Sequence, residues 1–152
     1  MKKTITILLA VCLIAALAAG CAPSSDAKEY NFEELSTKLQ DSGAFSDLLS
    51  PVDIELASTL YGFEVSDVEK CVVLCSTGAT TEEIGLFKCK DEQAAAKVKA
   101  AAEERVKSQR AAYESYAPAE MPKLDDAIVM SDGVYVFYVV AENASKAEAA
   151  MK

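Results

Sequence analysis

The chain contains no histidine. That one absence removes the Ser-His-Asp triad, the Cys-His pair and every imidazole-based metal site. Tryptophan is also absent. No glycine-rich stretch leads into a Lys-Ser or Lys-Thr pair, so no phosphate-cradling loop is present and no cofactor is expected. Basic groups are scarce. There are 15 Lys and Arg against 24 Asp and Glu, a formal charge of −9. A chain of that sign repels a phosphate backbone, which argues against a nucleic-acid partner. No acidic run has the spacing of a calcium loop, so no metal is expected either. With no nucleophile and base placed together, the sequence reads as that of a protein that is not an enzyme.

What is present begins with a charged pair, Lys2 and Lys3, followed by Ile5 to Ala19, apolar but for Thr6. This run is short for a bilayer span and ends in small residues, as a secretory signal does. Leu17-Ala18-Ala19-Gly20-Cys21 then resembles the lipobox of bacterial lipoproteins, with Ala18 where that pattern usually has Leu. The resemblance implies that residues 1–20 are removed and that Cys21 carries a diacylglyceryl thioether. Its chains would hold the protein at the cell membrane on the extracytoplasmic face, at a Gram-positive cell surface. Residues 21–30 then form a small, polar tether containing Pro23, and 31–152 form one domain. Without Lys2 and Lys3 the chain keeps thirteen basic groups against 24 acidic ones, about −11. The lipid rather than surface charge must therefore hold it at the membrane.

The domain is organised around Asp91 to Pro118, a stretch rich in Ala, Lys and Glu. Asp91 suits the N-cap, and Pro118 ends the helix because it lacks the amide hydrogen. At 100° per residue, Val98, Ala101, Ala102, Arg105, Gln109, Ala112, Tyr113 and Tyr116 fall on one face. Upstream, Asn31 opens a helix with the stripe Phe32, Leu35 and Leu39. Ser50-Pro51-Val52-Asp53 reads as a second helix start, with Leu56 and Leu60 as its stripe and Gly62 as its end. Cys71 to Cys75 and Ile84 to Lys90 form one hairpin. Ala127 to Met130 and Val134 to Ala141 form another, around an Asp132-Gly133 turn. Val134 to Val140 is apolar on both faces, as a central strand should be. Ala144 to Met151 is a short terminal helix. The expected fold class is α+β: a mostly antiparallel four-stranded sheet of two hairpins against one long helix, with two N-terminal helices and a short C-terminal one.

Two groups of residues could carry chemistry. Cys71 and Cys75 share a strand face but lie about 13 Å apart and cannot bond to each other. A hairpin centred on Thr80 would set Cys71 opposite Cys89, within reach of a disulfide, or all three thiols could stay reduced as small hydrophobes. The second group joins Arg105 and Gln109 on the long helix to Glu82 and Glu83 at the second strand. An inward Arg needs an acceptor, and because Glu82 and Glu83 alternate faces only one of them can meet it. A structural ion pair is one reading. A groove bordered by Arg105 and lined by Tyr113, Tyr116, Tyr135 and Tyr138 is the other. Gln109 is expected to satisfy nearby backbone.

Several short motifs fall in order along the domain: Leu60-Tyr61-Gly62-Phe63, Asp67-Val68, Thr81 to Lys88, Arg105 with Gln109, Tyr116-Ala117-Pro118, Asp126-Ala127 and Gly133 to Val136. Together they resemble the bacterial lipoprotein family of domain of unknown function 4358, over about Phe32 to Ala147. The resemblance implies a small secreted lipoprotein domain with no assigned activity, and Cys71, Cys75 and Cys89 lie outside its pattern. The expected function is a lipid-anchored binding or accessory module with an unknown protein or cell-wall partner. A small-ligand receptor, or a small surface enzyme using a groove near Arg105, is the alternative.

Overall fold

The computed structural model describes residues 28–152. The expected signal segment, Cys21 and the expected tether up to Ala27 lie outside the described residues. The first helix, α1, spans Phe32–Asp41 and is capped by Asn31, whose Oδ1 accepts from the Glu34 amide at 3.2 Å. Then come strand β1 (Ser50–Val52), α2 (Ile54–Tyr61), β2 (Val68–Cys75), β3 (Glu83–Cys89), the long α3 (Glu92–Tyr113), α4 (Met121–Asp125), β4 (Ile128–Asp132), β5 (Tyr135–Val140) and α5 (Ala144–Ala150). The strands form one antiparallel sheet in the order β1-β2-β3-β5-β4. The α+β class is as expected, with five strands rather than four.

The extra strand comes from the stretch read as a helix start. Ser50, Pro51 and Val52 pair with Cys75, Leu74 and Val73. A proline is tolerated there because β1 is an edge strand with a free side. The helix begins three residues later, capped by Asp53, whose carboxylate accepts from the Leu56 amide at 2.8 Å. Its buried face is accordingly Ala57 and Tyr61, and Leu56 is exposed. Gly62 closes it with φ 80, a left-handed conformation that a Cβ would disfavour.

Helices cover both faces of the sheet. Along β5 the side chains alternate. Val136, Tyr138 and Val140 pack with Ala94, Ala95, Val98 and Ala102 of α3, while Tyr135, Phe137 and Val139 pack with Phe32, Leu35 and Leu39 of α1. The alanine stripe lets α3 lie close against the sheet. β5 is fully buried, as its two apolar faces require.

Asp91 caps α3 as expected, accepting from the Ala94 amide at 2.7 Å. The helix stops at Tyr113, short of Pro118. The residue before a proline avoids helical backbone, and the chain opens at Ala117 (φ −138, ψ 62) before a short turn at Pro118–Glu120 leads into α4. Tyr116, beyond the helix end, is 63% exposed rather than inward.

Candidate functional site

The β2–β3 hairpin turns at Gly78 (φ 97) and delivers three successive polar side chains, Thr81, Glu82 and Glu83, into the interior. Because strand side chains alternate, the two glutamates leave the backbone in opposite directions.

Glu83 points under α3. Its Oε2 accepts from Arg105 Nη2 at 2.9 Å and from Gln109 Nε2 at 2.9 Å, and its Oε1 lies 3.4 Å from Arg105 Nε. The Gln109 Oε1 accepts in turn from the Tyr138 hydroxyl at 2.8 Å. Gln109 thus joins two side chains rather than satisfying backbone. Arg105 and Gln109 are one helical turn apart, so both reach the same carboxylate. The Glu83 side chain is 1% exposed and that of Arg105 17%. Burial works against the charged guanidinium, but the hydrogen bond and charge of Glu83 hold its pKa above the ordinary arginine value.

Tyr61 lies over the same cluster. The Arg105 guanidinium carbon sits 5.8 Å from its ring centroid, and its ring packs edge-on to Phe87 and Tyr138 at 5.2 Å. Its hydroxyl is buried beside Glu83 and makes no well-aligned hydrogen bond among the described residues. Burial, and then the Glu83 charge, raise its pKa well above the ordinary tyrosine value. Gly85 makes room for this hydroxyl: a Cβ there would lie 2.6 Å from the Tyr61 oxygen.

Glu82 points the other way and meets a second cation. It accepts from the amides of Ser46 and Asp47 at 2.9 and 3.0 Å, from the Ser46 hydroxyl, and from Lys123 Nζ at 2.9 Å. Burial alone would raise the carboxyl pKa; these donors outweigh it and hold it below the ordinary value. Lys123, on α4, also meets Glu120 at 3.2 Å and Glu142 at 2.9 Å. Burial opposes its charge, but Glu142, Glu82 and Glu120 raise its pKa. Glu120 additionally accepts from the Thr81 amide at 2.9 Å and hydroxyl at 3.1 Å. The Asp47 carboxylate accepts from the Ser76 hydroxyl at 2.6 Å, tying the loop after α1 to the same turn.

The structure therefore brings Arg105, Gln109 and Glu83 together and sends Glu82 elsewhere. The four tyrosines do not share one groove. Tyr138 faces Gln109, Tyr135 packs on Phe32 across the sheet, and Tyr113 and Tyr116 stack at 4.9 Å near the hairpin turn. Lys123 was not among the residues expected from sequence. The signal for it was the second glutamate, which, turned inward, needs a cation of its own.

The hairpin centres one residue earlier than expected. Cys71 pairs with Phe87 and Cys89 with Val68, across a bulge between Val68 and Lys70. Of the two alternatives, the Cys71–Cys89 pairing gives way to a diagonal offset, and among the described residues Cys71, Cys75 and Cys89 are free thiols. Burial pushes the Cys75 thiol to about 12 and the Cys89 thiol to about 11, and raises that of Cys71. Such thiols carry almost no thiolate at neutral pH and are poor nucleophiles. Among the described residues, no three Cys, Asp or Glu side chains converge in a way that could hold a metal ion.

A five-stranded antiparallel sheet with helices on both faces, pinned by two buried charge clusters at one hairpin, defines an α+β domain. The chain belongs to the family described as domain of unknown function (DUF4358), whose match covers residues 41–141. This span holds both glutamates and both cations and stops short of most of α1 and all of α5. No curated protein and no solved structure matches the chain.

Proposed function

We propose that this chain is a lipid-anchored lipoprotein of the extracytoplasmic face, whose domain is a non-enzymatic binding or accessory module for a protein or cell-wall partner. The observation that carries the non-enzymatic part is the closure of Glu83. Its buried carboxylate is held by Arg105 and Gln109. A general acid or base must be able to reach a substrate proton, and one held this way serves the fold instead. The lipid-anchored part is supported by Lys2 and Lys3, the apolar run to Ala19, and the small residues before Cys21.

The experiment has two arms. Mass spectrometry of the native protein should find the diacylglyceryl adduct on Cys21, and Cys21→Ala should lose it while the domain still folds. Crosslinking in native membranes should then capture a defined partner with the parent and with a folded Glu83→Gln variant alike. An unmodified Cys21 overturns the anchor. Loss of the crosslink in folded Glu83→Gln overturns the purely structural role of the cluster.

A second reading is favoured by one observation. Among the described residues, the Tyr61 hydroxyl is buried beside Glu83 without a well-aligned hydrogen bond. A small polar ligand entering past the partly exposed Arg105 would find that hydroxyl free to bond. This supports a small-ligand receptor or a small surface enzyme at the same cluster, and loss of ligand binding in Tyr61→Phe tests it.

A further inference from the structure

We propose that the groove between α1, α5 and the β4–β5 hairpin is the surface through which the domain rests on the bilayer, with a membrane phospholipid as its occupant. This rests on the lipid-anchor reading and adds to it an orientation and a contact surface. The groove encloses about 450 Å³. Leu35 and Phe137 form its floor, and Tyr30, Ile128, Met130 and Met151 its walls. Met130 is 43% exposed, although it belongs to a strand. Two methionines give an unbranched, polarizable lining that adapts to a flexible chain.

The rim carries Lys28, Lys152 and Glu148. The two lysines stand beside acidic groups, Glu148 on the rim, Asp132 bonded to the Tyr30 hydroxyl, and Glu29 and Glu34 close by, so the opening is of mixed charge and the lysines are its cationic points. Lysine stems can lie along apolar walls while their ammonium groups reach headgroup phosphates. Lys28 already bends over the Tyr30 ring, 4.6 Å from its centroid.

Chain length supplies the orientation. Lys28 is on the groove's rim, and only the seven residues from Cys21 to Ala27 separate it from the lipid. Fully extended, they reach at most about 24 Å. A compact domain of this size is roughly 36 Å across. The leash is therefore shorter than the domain, so the pole opposite Lys28 cannot rest on the bilayer, while the side bearing Lys28 can.

The absence of tryptophan provides the test. The lipidated full-length protein, with Met130→Trp as its single tryptophan, is reconstituted in vesicles of phosphatidylcholine and phosphatidylglycerol. Leu48→Trp, 86% exposed beside β1 at the opposite edge of the sheet, serves as the reference. The expected result is a blue-shifted Met130→Trp emission quenched by brominated acyl chains, with Leu48→Trp unshifted and unquenched. Met151→Trp repeats the measurement from α5 should the strand variant unfold. Water-like emission from both groove probes on protein whose Cys21 adduct is verified by mass overturns the docking and leaves the anchor standing. An unmodified Cys21 overturns the anchor, and the docking with it.

Discussion

Glu82 and Glu83 are neighbours in the chain, both buried, and each is neutralised by a cation from a different helix. Glu83 takes Arg105 of α3 on one face of the sheet, and Glu82 takes Lys123 of α4 in the opposite direction. One dipeptide therefore ties two helices to a single hairpin. Buried pairs of this kind add little net stability over a well-packed apolar substitute, because desolvation offsets the attraction. Their effect is to make wrong arrangements costly, since any packing that separates α3 or α4 from the hairpin strands a buried charge.

That asymmetry sets the first expectation. Arg105→Met leaves Glu83 buried with only Gln109, and should cost about 3 kcal/mol in urea unfolding. Glu83→Gln should cost a similar amount. The double variant should recover much of the loss, because no uncompensated charge remains. The measurement is a double-mutant cycle, and a coupling near zero would mean that the pair does not hold α3 in place.

Acid should act mainly through carboxylates held low in the fold. Glu82 lies below its ordinary value of 4.5 because Ser46, Asp47 and Lys123 outweigh the cost of its burial. Asp67 lies below 3.8, chiefly through its hydrogen bond to Lys90. A group whose folded pKa is depressed binds fewer protons in the folded state. Its stabilisation is complete above the unfolded pKa and is lost as pH falls through the folded one. Stability should therefore be flat down to about pH 4.5 and fall below it. Glu82→Gln should be less stable at pH 7 and lose less on acidification. Urea midpoints from pH 7 to pH 3 check this, and an unchanged acid slope in the variant would assign the acid response to other groups.

Much of this was readable from residue types. Asn31 and Asp91 are caps because their oxygens suit the free amides of a first turn, and the structure uses both that way. The Arg105–glutamate contact followed from helical phase and strand alternation, although which glutamate faces the helix depends on the hairpin register. Register itself was harder to read. Moving the β2–β3 centre by one residue shifts each cross-strand partner by two, so every side chain keeps its face and the apolar pattern looks the same. The Asp132-Gly133 turn went the same way: Asp132 pairs with Tyr135, leaving Gly133 (φ 56) and Val134 as the loop. Pro51 misled because a proline at a first helical position and a proline in an edge strand look identical in sequence. Lys123 sits in the stretch between the long helix and the second hairpin, where no periodicity marks an inward residue.

The cysteines should behave as small core residues. Diagonally placed on neighbouring strands, Cys71 and Cys89 are about 7–8 Å apart in Cα terms, beyond the usual span of a disulfide. Adding reductant should leave the unfolding midpoint unchanged, whereas a structural bridge would contribute about 2–4 kcal/mol. Iodoacetamide at pH 8 should label Cys71, Cys75 and Cys89 slowly in the folded domain and rapidly in urea. Rapid labelling of Cys75 in the native state would contradict its raised pKa and burial.

Gly85 and Tyr61 should be coupled in a direction that contacts alone do not suggest. A methyl at position 85 would approach the Tyr61 oxygen to 2.6 Å and Phe87 Cε2 to 2.8 Å, closer than carbon atoms tolerate. Both neighbours are buried, so neither can swing away into solvent. Gly85→Ala should therefore destabilise by about 1–3 kcal/mol, as overpacking of a filled core does. Tyr61→Phe removes a buried hydroxyl that makes no well-aligned hydrogen bond among the described residues, so it should be neutral or stabilising by about 1 kcal/mol. Combining the two should recover part of the Gly85→Ala loss, because the nearer contact is gone while that with Phe87 remains. Thermal unfolding of the two single variants and the double variant measures the coupling. A destabilising Tyr61→Phe would show that the hydroxyl is bonded in solution, to Glu83 itself, to an ordered water or to a polar ligand at the Arg105 cluster.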